Sequence, residues 1–431
     1  MNKNTFIIGF MLFAIFFGAG NLIFPPKLGL EMGSDFLPAI TGFILTGVGL
    51  PLATIVISSL FTGGYKQALD HISPAFSLVF LVAVYLALGP GFGIPRTAAT
   101  AYDMAITPLL SAPSTLMSFG FTALYFIAAT WLSLNPSKMV DRVGSILTPV
   151  LLLFIFGLVV LAVPHFAGVT PAVMQHSAPF AKGVVEGYFT LDILAAMAFS
   201  VIVISAIKSQ GVSGKALTRQ TTQAGLIAAI LLVFVYAAIG WIGNKMPADT
   251  ALLAEAKGQN VGTFILHIAT EKIFGTAGQS VLAIIVLLAC LTSAVGLITA
   301  ISQYFSQVFT RFSYRTYVYI FALISFILAN RGLDAVITTS VPVLLILYPI
   351  AITVLIALMG AKLWRMPLLA QRAMIALVVV ISIISTVGEK LGMAWIAELP
   401  LKSASMEWLP FAIVGALIGY ALAWVRKSWA V

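Results

Sequence analysis

Long apolar runs, each closed by a short polar or Gly/Pro-containing break, recur along the whole chain. They fall near residues 6–30, 36–61, 76–105, 114–134, 143–164 and 185–206, then near 222–244, 280–309, 317–329, 336–360, 373–387 and 409–425. A membrane-crossing helix needs about 20 predominantly apolar residues, so the pattern predicts an all-α polytopic membrane protein with about twelve spans. An even count puts both termini on one side. The segment 245–279 reads as the longest polar loop, and 27–35, after Pro25-Pro26, as a turn into the second span. Lys3 ahead of an apolar run and Gly18-Ala19-Gly20 imitates a cleavable leader; such a run also directs insertion as a first span, and that reading is adopted.

Composition narrows the class. Of 431 residues 61% are apolar and 9% charged, whereas a soluble chain carries roughly 25% charged residues. An ordinary soluble fold is excluded. The net charge of +9 comes from basic residues scattered singly between apolar runs, not from the clustered patch that nucleic acid requires. A lone Cys290 offers neither a disulfide framework nor a metal set and reads as a small hydrophobe. No prosthetic group and no obligatory protein partner is expected; the surroundings are a lipid bilayer.

Charges sort by loop. One set holds Lys3, Lys66, Lys138, Arg142, Lys208, Lys215, Arg219, Arg311, Arg315, Lys362, Arg365, Arg372, Arg426 and Lys427, with Asp70 and Asp141. The alternate set holds eight basic residues, including Lys257, and nine acidic ones, including Asp249 and Glu255. Basic residues in short loops resist translocation, so both termini are expected in the cytoplasm, in the bacterial inner membrane. Arg96, Asp103, Glu186 and Asp192 are left near or inside the membrane, where an ionisable group is expensive.

Two spans carry interruptions. In the first, Phe16-Phe17-Gly18-Ala19-Gly20-Asn21-Leu22-Ile23-Phe24-Pro25-Pro26 places small residues, an Asn and two prolines in mid-helix. The glycines alone favour close helix packing; the Asn and the prolines reverse that preference towards a broken helix. Freed N–H groups of Ala19 and Gly20 at a half-helix start would then attract a carboxylate. The sixth span carries Glu186-Gly187-Tyr188-Phe189-Thr190-Leu191-Asp192. Asp192 is either a helix cap or a contact for substrate or ion. Paired breaks five spans apart point to inverted repeats: 6–164 and 185–360, with 373–425 as two accessory spans in a single transmembrane domain, 1–431.

In the eighth span Ala289, Thr292, Ser293 and Gly296 share one helix face. The two hydroxyls suit a hard monovalent cation, or bond back to carbonyls of their own helix. In the third span Gly89-Pro90-Gly91-Phe92-Gly93-Ile94-Pro95-Arg96 is expected to bend the helix, with Arg96 near its outer end, pairing with Asp103 in a structural salt bridge. Glu186 is expected at the surface. Enzyme readings find little: His71, His165, His176 and His267 lie at or beside loops and form no zinc pair, and Tyr102-Asp103 lacks a second glycine-flanked Asp.

The stretch Gly18-Ala19-Gly20-Asn21-Leu22-Ile23-Phe24-Pro25-Pro26, with Gly89-Pro90, Pro95-Arg96-Thr97 and Tyr188-x-Thr190-x-Asp192, closely resembles bacterial branched-chain amino acid cation symporters. The resemblance covers the whole chain and implies a leucine-transporter-type 5+5 inverted repeat with helices 1 and 6 broken. It implies sodium-coupled uptake of leucine, isoleucine and valine. It further implies that Gly18, Ala19, Gly20 and Asn21 bind substrate, the N–H groups of Ala19 and Gly20 taking the carboxylate. Phe16, Phe189, Thr190 and Asp192 would take the ammonium, and Phe189, Ala195 and Leu297 the side chain. Sodium would sit between the carbonyls of Ala14, Phe17 and Ala289 and the hydroxyls of Thr292 and Ser293. The departure is Asp192, where sodium-coupled transporters of that fold commonly place a small neutral residue; this leaves proton coupling as the alternative, ahead of an uncoupled channel or facilitator, for which no ring of acidic or carbonyl-rich repeats marks a filter. Residues 147–163 contain no Lys, the residue some proton-coupled relatives put at the cation position, which favours sodium.

Overall fold

The computed structural model describes residues 3–61, 64–110, 114–135, 143–246 and 260–426. Of the charges sorted by loop, Lys138, Asp141, Arg142, Asp249, Glu255, Lys257 and Lys427 lie outside these residues. The described residues form helices and their connections, without a strand. α1 (Lys3–Phe16) and α2 (Ala19–Met32) are followed by α3 (Phe36–Ile44) and α4 (Leu50–Ser59), joined through a π-turn at Leu45–Gly49. Next come α5 (Gly64–Ile72), α6 (Pro74–Leu86), α7 (Gly93–Ala105), α8 (Thr115–Ser133) and α9 (Thr148–Phe166). α10 (Pro179–Tyr188) and α11 (Asp192–Lys208) precede α12 (Gly214–Asn244), α13 (Val261–Phe274), α14 (Gly278–Val308), α15 (Tyr314–Ala329), α16 (Leu333–Leu363), α17 (Leu368–Lys390) and α18 (Trp408–Val425).

Each of the twelve apolar runs is mainly helical, with non-helical breaks inside 6–30, 76–105 and 185–206. By length and composition, nine stretches among the described residues are long and apolar enough to cross a membrane, ten when α10 and α11 count as one bent span; α1 and α15 are shorter apolar helices. The core runs through α1, α11 and α14: residues 11–17 and 191–200 are buried without interruption. Helices apolar on every side belong in such a position. Leu124, Leu153, Leu417 and Trp424, on α8, α9 and α18, stay exposed, as a lipid-facing surface requires.

Several expectations are corrected. Residues 27–32 do not turn; α2 runs on through Pro25 and Pro26 to Met32, and the chain turns at Gly33, where φ is +49°. Close packing and capping hold this end. A Cβ at Gly29 would stand 2.0 Å from the Gly240 carbonyl oxygen and one at Gly243 2.1 Å from that of Pro26, while Asn244 donates to the Gly29 and Gly33 carbonyls at 3.2 and 2.6 Å. The long polar loop contains α13, which also holds His267; Asn260 caps it by accepting from the Gly262 N–H at 3.0 Å. Its Phe264, Ile265, Leu266 and Ala269 are buried. Glu186 is not a surface residue but 2% exposed, paired with Lys182 at 2.9 Å and with Lys27 at 3.4 Å. Two neighbouring cations offset the cost of burying its charge.

α3 and α10 meet through glycines: a Cβ at Gly183 would lie 1.8 Å from the Ala39 carbonyl oxygen and one at Gly42 2.2 Å from that of Phe180. Membrane helices approach this closely only where side chains are absent. Gly183→Ala therefore lowers the temperature at which the detergent-solubilised protein loses its monodisperse elution peak by several degrees, an overpacking penalty of about 1–3 kcal/mol. Gly120→Ala, with nothing within 4 Å, leaves it in place.

Candidate functional site

The first span breaks as its residues suggest. α1 ends at Phe16, the Phe17 N–H still reaches the Phe13 carbonyl at 2.8 Å, and Gly18 is extended at φ −125°, ψ −158°. α2 restarts at Ala19, with Leu22 N–H donating to the Gly18 carbonyl at 3.2 Å. The amides of Ala19, Gly20 and Asn21 are thus the first-turn donors that a helix leaves unpaired. On the other side of the break, carbonyls at the end of α1 are free to accept. Thr292 donates to the Ala14 carbonyl at 2.8 Å and back to that of Ala289 at 3.0 Å, while Ser293 donates to the Ile15 carbonyl at 2.8 Å. Thr292 therefore shares its hydroxyl between a carbonyl of its own helix and one of α1, and Ser293 reaches across to α1. Glycine is required here, because a Cβ at Gly18 would stand 2.5 Å from Ser293 Oγ and one at Gly296 2.9 Å from the Ile15 side chain. Phe17 is buried and stacks on Phe13 at 5.4 Å.

The sixth-span break lies between α10 and α11, which bend by 44° across Phe189, Thr190 and Leu191. Leu191 adopts φ +73°, a left-handed conformation that costs a branched side chain about 1–2 kcal/mol. Local bonds hold it: Leu191 N–H to the Tyr188 carbonyl at 3.2 Å, Ala195 N–H to the Leu191 carbonyl at 2.8 Å and Thr190 Oγ1 to the Gly187 carbonyl at 2.8 Å. Asp192 opens α11 at 2% exposure. Its carboxylate is turned to other spans: Oδ2 accepts from Asn21 Nδ2 at 2.8 Å and from the Tyr236 hydroxyl at 3.3 Å, and Asn21 also donates to that hydroxyl. The first and sixth breaks are therefore joined directly, with α12 contributing Tyr236.

The bend expected at Gly89-Pro90 is present, with Gly89 leaving helical geometry at ψ −120°. Its consequence differs from expectation. Arg96 is not at an outer end and makes no salt bridge with Asp103; it is 4% exposed, and Nη1 and Nη2 donate to the Phe189 and Thr190 carbonyls at 2.7 and 3.1 Å. The start of α7 faces the end of α10, and a cation is favoured at a helix C-terminus.

Between the two breaks lies a cavity of about 30 Å³, room for a water or two. Phe16, Gly18, Ala19, Gly20, Asn21, Thr190, Asp192, Ala195 and Leu297 all line it, with Ser293. Phe189 does not; its ring lies 5.9 Å from that of Phe24 and its carbonyl is held by Arg96. Sequence reading missed several contributors, among them Arg96 and Phe199 on the cavity wall, the Phe199 ring meeting Phe16 edge-on at 5.3 Å, and Tyr236, which bonds to Asp192. Arg96 carried a signal, as a basic residue inside an apolar run beside a Gly-Pro break. Phe199 and Tyr236 sit in ordinary apolar helix and carried none.

Comparison with known proteins gives the family and the fold. The chain is similar over 98% of its length to a protein of Staphylococcus haemolyticus named as a branched-chain amino acid carrier, 48% identical over 434 residues and 97% of that relative. A Staphylococcus aureus protein of the same description is 47% identical over 432 residues, covering 97% of this chain and 96% of the relative. Among solved structures, Mhp1, a nucleobase-cation-symport-1 family transporter in a closed conformation with bromovinylhydantoin bound, superposes with a TM-score of 0.64 at 16% identity, over 98% of this chain and 92% of its own. MhsT in complex with L-phenylalanine does so with a TM-score of 0.59 at 19% identity, over 98% of both chains. These two share the leucine-transporter-type fold with this chain. The family model described as "Branched-chain amino acid transport protein" matches residues 1–426. The chain is thus a multi-pass membrane transporter, not an enzyme, and it belongs to the branched-chain amino acid transport protein family.

Proposed function

We propose that the protein imports leucine, isoleucine and valine by symport with sodium, through alternating access of the cavity between the two breaks. The observation that carries this reading is the meeting of both broken spans at one small cavity that holds a buried carboxylate, with an oxygen cluster behind it. A zwitterionic substrate needs an anion receptor and a cation receptor a few ångströms apart. The first-turn N–H groups of Ala19 and Gly20 take its carboxylate, and Asp192 with the Phe16 and Thr190 region takes its ammonium. Ala195 and Leu297, on the wall, receive the aliphatic chain; Phe189, outside the cavity here, would join them only as the site opens.

Sodium, as co-transported cargo, is assigned to the contact between α1 and α14. Thr292 Oγ1 already lies within 3.0 Å of two carbonyl oxygens, those of Ala14 and Ala289. Turning the Thr292 and Ser293 hydroxyls so that lone pairs face inward, with the Phe17 carbonyl added, makes a set of neutral oxygens suited to a hard monovalent ion. Such an ion would bind the end of α1 to α14 and so fix the first-span break from which Ala19 and Gly20 point. The cavity of about 30 Å³ cannot hold a branched-chain amino acid, so the substrate-ready state is one in which the cavity is wider while the ion keeps the end of α1 on α14. In this reading residues 6–164 and 185–360 are the two inverted repeats, 373–425 is accessory, and both termini face the cytoplasm from the inner membrane. A second reading, proton coupling, has the buried Asp192 in its favour.

Labelled leucine offered to proteoliposomes at clamped pH should accumulate under an inward sodium gradient and leave when the gradient is collapsed. Accumulation driven by a proton gradient without sodium overturns the sodium assignment. Thr292→Ala and Ser293→Ala should each raise the sodium concentration for half-maximal uptake roughly tenfold, the worth of one ligand oxygen; an unchanged value removes them from the ion site. Asp192→Asn should weaken leucine binding roughly 10- to 100-fold, as expected for loss of a charge-assisted contact. Wild-type transport by that variant across a wide pH range removes both the ammonium role and the proton role.

A further inference from the structure

Arg96 is the one buried cation at the cavity, and none of the roles above uses it. Nη1 and Nη2 each make one hydrogen bond to a carbonyl of the sixth-span break, and the buried Nε–H has no acceptor among the described residues. A guanidinium carries five donors, so most of its capacity is unspent. Among the described residues it belongs to no salt bridge, and Asp192 across the cavity is bonded instead to Asn21 and Tyr236. A cation and an anion therefore face one cavity, each buried and neither hydrogen-bonded to the other. Carbonyl dipoles lessen the cost of such charges but do not cancel it.

The position of the guanidinium says what would cancel it. Gly20 has no side chain where Arg96 stands: a Cβ there would lie 2.7 Å from Nη2. The fork is thus set against the first turn of α2, whose unpaired N–H groups also favour an anion. We infer that Arg96 receives the substrate carboxylate together with the Ala19 and Gly20 amides, and that Arg96 and Asp192 together restrict the site to zwitterions. This rests on the amino acid transport reading and assigns within it a specificity-determining side chain. An amine lacking the carboxylate leaves Arg96 buried without an anion; a carboxylic acid lacking the amine leaves Asp192 without a cation. Either ligand closes the cavity on an uncompensated charge.

Competition for labelled leucine on the purified full-length protein in nanodiscs tests this, with leucinamide as the probe that keeps the ammonium and side chain but removes the anionic carboxylate. Wild type should prefer leucine to leucinamide roughly 100-fold. Arg96→Gln should reduce that preference at least tenfold, chiefly through loss of leucine affinity, and Arg96→Lys should keep most of it. Each preference is a ratio within one preparation, so a reduced active fraction cancels. A merely structural Arg96 predicts that both affinities fall together, and an unchanged ratio in Arg96→Gln overturns the assignment; equal affinities in wild type overturn it without any variant. Failure of wild type to bind leucine at all overturns instead the transport reading beneath it.

Discussion

A helix broken inside a bilayer has nowhere to send its free backbone groups except into protein, and the rest of this structure follows from that constraint. The carbonyls that end α1 are met by the hydroxyls of Thr292 and Ser293. Those that end α10 are met by the guanidinium of Arg96. Asp192 at the start of α11 is met by Asn21 and Tyr236. The partners come from α14, α7, α2 and α12, so closing the breaks also ties these helices to α1, α10 and α11 around one point. The glycines follow too, since Gly18, Gly20 and Gly296 sit where a Cβ would collide with Ser293, Arg96 or Ile15.

A protein that satisfies its breaks with movable partners has a built-in way to exchange them for a ligand. A hydroxyl that donates to a carbonyl can instead turn its oxygen to a cation; a guanidinium that donates to two carbonyls retains donors for a carboxylate. On the proposed reading, the closed cavity is a state in which protein groups stand in for the ligand. Glu186, held by Lys27 of α2 and Lys182 of α10, adds an ionic tie between the halves of the two broken spans that lie on the same side of the breaks.

Much of this was legible in the chain. The apolar runs located the helices, the Gly-Asn-Pro and Tyr-x-Thr-x-Asp interruptions located the breaks, and the spacing of Ala289, Thr292, Ser293 and Gly296 located the face that meets α1. What escaped depended on approach in space. Arg96 and Asp103 share a helix face but stand two turns, about 10 Å, apart along it, while the carbonyls of Phe189 and Thr190 lie within reach from a span 93 residues away. Glu186 looked peripheral because it lies close to the outer boundary of its span; its partner Lys27 stands in a segment that reads as a turn but is helix held by glycine contacts with α12. α13 was hidden because fourteen residues with a polar flank are too short to register as a span.

The central claim is that the two breaks form one coupled site in which an ion at the α1–α14 contact and a zwitterion at the cavity each favour the other. Equilibrium binding of leucine to the purified protein, titrated in sodium against choline, tests it most directly. Sodium should tighten leucine binding, and leucine should tighten sodium binding by the same factor, typically 5- to 150-fold by linkage. A leucine affinity identical in sodium and in choline would contradict the account.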